Sequence, residues 1–142
     1  MKNLLIILSI LFFAGCNDSN SQTNNTSKDK KLKVKAYYFH RTRRCGGCLG
    51  AENASVQALK DLYSKEMEKG IIKFQSINIE EDENKELARK YNIAGSSFLI
   101  VNVGGKEEKV VNLTNESFAG KSNPEKLKEK IKSTVDSMIN EQ

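Results

Sequence analysis

The chain has 142 residues, 38% of them apolar, with one proline, no tryptophan, three cysteines and a net charge of +5. That length suits one domain, and three cysteines are too few for a disulfide-dense scaffold or for a closed four-cysteine metal site within one chain. The charge is mild enough to permit an anionic partner without demanding one.

Met1, Lys2 and Asn3 precede an apolar run from Leu4 to Phe13, followed by Ala14, Gly15 and Cys16. A basic start, a short apolar run and a small-residue exit have the form of a secretory signal. At about 1.5 Å per residue the run spans about 15 Å, half the hydrocarbon thickness of a bilayer, so a permanent transmembrane helix is not expected. The Phe13-Ala14-Gly15-Cys16 stretch resembles the bacterial lipoprotein cleavage box. That resemblance implies a signal peptide over 1–15 and an acylated Cys16 as the first mature residue. Asn17 to Lys31 is almost wholly Asn, Ser, Thr, Gln, Asp and Lys, with nothing apolar to bury, so 16–31 reads as a lipidated cysteine and a flexible tether. Such a tether averages roughly 20 Å end to end. The expected location is therefore the bacterial cell envelope, with a domain over 32–142 held clear of the membrane and facing the periplasm or the exterior.

Within that domain, Val34 to Phe39 reads as a strand by composition. A long helix is predicted after Cys45, with Val56, Leu59, Leu62, Tyr63 and Met67 at helical spacing and Gly70 as its stop. Ile71 to Ile79 alternates as a second strand, and a short helix follows around Asn84 to Tyr91. Ser97 to Val103 is a buried strand, Gly104-Gly105 a tight hairpin turn and Glu107 to Leu113 its partner. Asn123-Pro124-Glu125 opens a last helix whose apolar stripe is Leu127, Ile131, Val135 and Met138. The order β-α-β-α-β-β-α makes this an α/β fold. Its first two strands should run parallel through a right-handed crossover, and its last two should form an antiparallel hairpin.

Cys45 and Cys48 stand at the junction of the first strand and the long helix. A cysteine at a helix start faces unpaired amide N–H groups and the positive end of the dipole, both of which favour a thiolate. Arg43 and Arg44 precede it and add positive charge. In this reading Cys45 attacks a disulfide and Cys48, one turn in, resolves the mixed disulfide. A c-type haem site fails because Leu49 stands where the histidine should be. His40, the only histidine, is read first as a structural residue at a strand end and second as one that tunes the thiols.

The Cys45-Gly46-Gly47-Cys48 motif resembles the thioredoxin family's CGPC, and so does the run from Ser76 through Tyr91-Asn92-Ile93-Ala94-Gly95 to Val101. The likeness covers about residues 32–138. It implies a thioredoxin-like fold with a mixed four-stranded sheet, thiol–disulfide exchange without a bound cofactor, and an upstream dithiol reductant. Ser97 stands where that family has its cis-proline, Gly47 replaces the motif proline, and Arg44 takes the usual tryptophan position. Phe39 lies near where the family has a buried aspartate. A non-proline cis bond costs about 2.5–4 kcal/mol, so the peptide before Ser97 is expected to be trans. More narrowly, Tyr37 to Cys48, Asn84-Lys85-Glu86-Leu87 and Leu113-Thr114-Asn115 resemble thioredoxin-like proteins of the ArsF-type nitrophenyl compound nitroreductase subunit family. Nitro-group reduction does not follow, because the chain has no Gly-rich turn to bind a dinucleotide.

Three function classes stay open at this level. The first is a membrane-anchored, monomeric thiol–disulfide oxidoreductase acting on a disulfide-containing protein or a small-molecule thiol. The second is a metal or metalloid carrier that uses Cys45 and Cys48 with His40. The third is an electron-transfer subunit of an envelope reductase. Nucleic-acid binding is not expected, since Arg41, Arg43 and Arg44 gather at the thiols and do not spread along a face.

Overall fold

The computed structural model describes residues 32–140. The signal segment, Cys16 and the tether expected over 1–31 lie outside the described residues. Four strands form one sheet: β1 (Val34–His40), β2 (Ile72–Asn78), β3 (Ser97–Asn102) and β4 (Lys109–Asn112). The sheet order is β2-β1-β3-β4. β1 runs parallel to β2 and antiparallel to β3, and β3 runs antiparallel to β4. The helices are α1 (Gly46–Glu68), α2 (Lys85–Lys90), α3 (Thr114–Ala119) and α4 (Pro124–Asn140). This is the mixed, helix-flanked sheet expected of a thioredoxin-like α/β fold.

β1 is central and buried on both faces from Ala36 to Phe39, as its apolar and aromatic run Ala36-Tyr37-Tyr38-Phe39 requires. Successive side chains alternate across the sheet. Ala36 and Tyr38 therefore join Phe98 and Ile100 under α1 and α4, while Tyr37 and Phe39 join Leu99 and Val101 under α2. Leu127, Ile131, Val135 and Met138 are all buried, which makes the predicted stripe of α4 the inward face. The Asn123 side chain accepts from the Lys126 N–H at 3.2 Å, the expected cap.

Chain reversals after α1 and α2 share one device. Gly70 (φ +69°) follows α1, and the Ile71 N–H reaches back to the Glu66 carbonyl at 2.9 Å. Asn92 (φ 57°) follows α2, and the Ile93 N–H reaches the Ala88 carbonyl at 2.8 Å. In both, a left-handed residue lets the chain turn back on the last carbonyls of the helix.

Three expectations need correction, and one more gains a turn. The hairpin between β3 and β4 is not a tight Gly-Gly turn; residues 103–108 separate the strands. The Asn102 side-chain oxygen gathers the Gly104 and Gly105 N–H groups at 3.0 and 3.2 Å, widening the loop. The short helix expected around Asn84 to Tyr91 is present as α2, and a 3-10 turn at Asp82–Asn84 precedes it. Third, α3 has no counterpart in the expected order, in which Leu113 closes the last strand. The Asn112 side chain instead accepts from the Thr114 N–H and hydroxyl at 3.0 and 2.6 Å, ending β4 and starting a helix. Fourth, the buried face of α1 runs through Ala51, Ser55, Ala58, Leu59 and Tyr63, leaving Val56 half-buried. Small residues serve there because α3 lies close: Ser55 and Ser117, both fully buried, share a hydrogen bond at 2.7 Å.

Candidate functional site

The site forms where β1 hands the chain to α1. Residues 41–44 bridge the two elements and are fastened on both sides. The Arg41 guanidinium donates to the Ala94 carbonyl at 2.8 Å. The Thr42 N–H donates to the Glu80 carboxylate at 3.0 Å, and the Asn78 amide donates to the Thr42 hydroxyl at 3.1 Å. The Thr42 bonds hold the Glu80 carboxyl below the usual carboxylate range. Thus the strand–helix loop is tied to the loops that precede α2 and β3.

Cys45 is the N-cap of α1, with extended backbone (φ −82°, ψ 163°). Its carbonyl takes the first helical bond from the Leu49 N–H at 3.1 Å, and its sulfur accepts from the Cys48 N–H at 3.3 Å. A sulfur in that place does what a cap oxygen does, and negative charge on it meets the N-terminal amides. The two sulfurs lie 2.8 Å apart. Both thiols are free; Cys45 is exposed and Cys48 half-buried. A covalent S–S bond is about 2.05 Å long, so closure needs only a short approach. A Cβ at Gly46 would meet nothing within 4 Å, so the outer side of the motif is open.

Beneath the motif lies a polar cluster. The hydrogen bond shared with Cys45 pulls the Cys48 thiol below its ordinary value, and a second hydrogen bond, from Ser96, acts the same way. Tyr38 on β1 is fully buried, and its hydroxyl donates to the Cys48 carbonyl at 2.8 Å. Burial pushes the Tyr38 phenol up to about 12, helped by the charge of a Cys48 thiolate and opposed by Arg44. Arg44 turns inward and pairs with Glu52, the two side chains retaining 18% and 13% exposure. Its guanidinium lies 5.9 Å from the Tyr38 ring centre, and its Nε is buried without a partner.

Of the residues singled out in the sequence, Cys45, Gly46, Gly47 and Cys48 form one helix start, as expected of their spacing. Arg43 is exposed beside it. Arg44, expected to supply charge to the thiols, has that charge matched by Glu52. The His40 ring nitrogen Nδ1 lies 2.9 Å from the Arg41 carbonyl. No group of three His, Cys, Asp or Glu side chains among the described residues is arranged to hold a metal. Ser97 starts β3 opposite Phe39, and its hydroxyl donates to the Gly95 carbonyl at 3.3 Å. The described residues contain no cis peptide, so the bond before Ser97 is trans as expected.

Sequence reasoning missed Ser96, Tyr38 and Glu52. Signals for two of them were present. Tyr38 has the same strand parity as Ala36, on the face α1 covers. Glu52 follows Cys48 by four residues and so shares its side of the helix. Only the fold brings Ser96 to the thiols.

No family model and no curated protein matches the chain. A solved structure described as "Structure of a malarial protein" is 17% identical, covering 58% of this chain and 82% of its own, with a TM-score of 0.39. A likeness of that size carries no argument about function. No helix among the described residues is long and apolar enough to cross a membrane.

Proposed function

We propose that this protein is a thiol–disulfide oxidoreductase with Cys45 as nucleophile and Cys48 as resolving thiol. The observation that carries the reading is the pair of free thiols 2.8 Å apart on the first turn of α1, the exposed one capping the helix. In the reductive direction the Cys45 thiolate attacks a substrate disulfide R–S–S–R, forming Cys45–S–S–R and releasing RS⁻. The Cys48 proton passes to that thiolate, giving RSH. The Cys48 thiolate then attacks the Cys45 sulfur, the Cys45–Cys48 disulfide forms, and a second RS⁻ leaves. Two electrons pass from the dithiol to the substrate, and an upstream dithiol reductant restores the starting state.

The substrate class is a disulfide-containing protein or a small-molecule disulfide that reaches an open helix start. The leader-like segment Met1 to Cys16 and the polar run behind it support a lipid anchor at Cys16 in a bacterial envelope, with the dithiol domain outside the cytosol.

The test is catalytic reduction of insulin disulfides by the full chain with a supplied dithiol. Turnover is expected for the wild type. Cys45→Ser should abolish it, and Cys48→Ser should accumulate a mixed disulfide at Cys45. Absence of turnover, or tight stoichiometric zinc binding that blocks both thiols, overturns the reading.

A further inference from the structure

We infer that Tyr38 is a positioning residue of the resolving step, its hydroxyl pinning the first turn of α1 to β1 so that Cys48 stays within reach of Cys45. The inference rests on the oxidoreductase reading, because it assigns a role within the same site.

The turn that carries the dithiol has little of its own to hold it. The two residues between the cysteines are glycines, and each weakens a helix relative to alanine. A Cβ at Gly46 would meet nothing within 4 Å, and one at Gly47 would meet the Cys45 sulfur at 3.7 Å. The internal tie of the turn is that same sulfur, which accepts from the Cys48 N–H at 3.3 Å. In a mixed disulfide the Cys45 sulfur is bonded to substrate and carries no charge, so the tie weakens. That is the stage at which Cys48 must find Cys45.

Tyr38 supplies an anchor that the reaction does not touch. It pairs with Ser76 of β2 on one side and with Phe98 of β3 on the other, so its backbone is held from both edges. The side chain is fully buried, and its ring centre lies 6.5 Å from that of Phe98. From this fixed base the hydroxyl donates to the Cys48 carbonyl at 2.8 Å. The Arg44–Glu52 ion pair braces the same turn from the residue before the cap to the turn after Cys48, with its guanidinium 5.9 Å from the Tyr38 ring centre.

Ring closure and the phenol bond order the same residues, so each lowers the entropy cost of the other. In the disulfide form the covalent link restrains the turn; in the dithiol form the anchors must. Loss of the phenol bond therefore frees the dithiol form more than the disulfide form, and the balance shifts toward open thiols.

The experiment equilibrates the full chain with mixtures of glutathione and glutathione disulfide at neutral pH. Cys45 and Cys48 pass two electrons and two protons to glutathione disulfide, leaving the internal disulfide and two glutathione thiols. Alkylation and mass spectrometry of the peptide that carries both cysteines read the ratio without interference from Cys16. Tyr38→Phe should lower the equilibrium constant for closure about threefold, within the roughly fivefold that one neutral hydrogen bond contributes. Threefold corresponds to a potential about 14 mV more oxidising. Tyr63→Phe is the structural control: it removes a hydroxyl that donates to the Asp136 carboxylate at 2.7 Å, far along α1. It should destabilise the domain yet leave the constant within about 1.3-fold, because a distant site acts independently. Gly46→Ala stiffens the first turn without a clash and, added to Y38F, should restore at least half of the loss. A fall of less than twofold in Y38F, an equal fall in Y63F, or no recovery with G46A overturns the inference. Insulin reduction run in parallel separates the two claims. A threefold shift in a protein that fails to reduce insulin would retire the oxidoreductase reading and leave the role of Tyr38 in ring closure standing; turnover with an unmoved constant would retire Tyr38 alone.

Discussion

Tyr38→Phe removes one oxygen from the floor of the dithiol site, and its effect on stability should change sign with pH. The ring stays: it is fully buried, 6.5 Å from the Phe98 ring centre, and Phe fills the same space. What is lost is the 2.8 Å bond to the Cys48 carbonyl. One neutral hydrogen bond contributes about 1 kcal/mol, so near pH 7 the wild type should be more stable by about that amount. The phenol is held up to about 12 by burial first and by the Cys48 charge second, against 10.0 for a free tyrosine. A raised value means the unfolded chain loses this proton before the folded one does. The contribution is therefore complete below pH 10 and declines as pH rises toward 12. The decline is at most about 1.4 kcal/mol per pH unit, because one proton separates the two states. An advantage of about 1 kcal/mol is used up within roughly one unit, so the two stability curves should cross near pH 11. Urea denaturation of both proteins under reductant, at half-unit steps from pH 7 to 12, measures this directly. All other titrating groups are common to both chains and cancel in the difference. Parallel curves up to pH 12, or a wild-type advantage that grows with alkalinity, would refute the assignment of a buried, protonated Tyr38 beneath the dithiol.

Two further perturbations probe the packing that holds the site. A Cβ at Gly120 would collide with Leu127, which is 1% exposed and cannot swing away, and would lie 3.1 Å from the Ser117 carbonyl. Gly120→Ala should therefore destabilise the domain by about 1–3 kcal/mol, read as a lower urea midpoint; a neutral result would mean that α3 and α4 can separate at little cost. Glu52→Gln leaves the Arg44 guanidinium half-enclosed without its counter-charge. It should cost about 2 kcal/mol, whereas Arg44→Met with Glu52→Leu together should cost less than either single change in a double-mutant cycle. Additive losses would show that the pair is solvated and does not act as a unit.

Elements whose sequence periodicity matches their burial were legible from the chain itself. β1 carries the apolar and aromatic run Ala36 to Phe39 because both its faces are covered there, and the stripe of α4 repeats at 3.6 residues because one face is. Gly70 marks the end of α1 through its backbone freedom, and Cys45 with Cys48 marks a helix start that carries two adjacent thiols through spacing. The α3 helix escaped because the residue it buries is Ser117, a polar side chain satisfied by Ser55 and by the Ala51 carbonyl, so no apolar period announces it. The wide β3–β4 loop escaped because Asn102, and not the glycine pair, organises it.

The dithiol and its place at a strand–helix junction were determined locally: two residues of separation and a helix start suffice to bring the sulfurs together. The floor beneath them was decided by tertiary structure alone. Burial of β1 under α1 sets the Tyr38 hydroxyl on the Cys48 carbonyl, and burial of Arg44 brings its charge to Glu52 and not to the thiols. Local geometry follows from covalent spacing, but which polar groups meet in the interior depends on strand register and on the need to satisfy every buried donor.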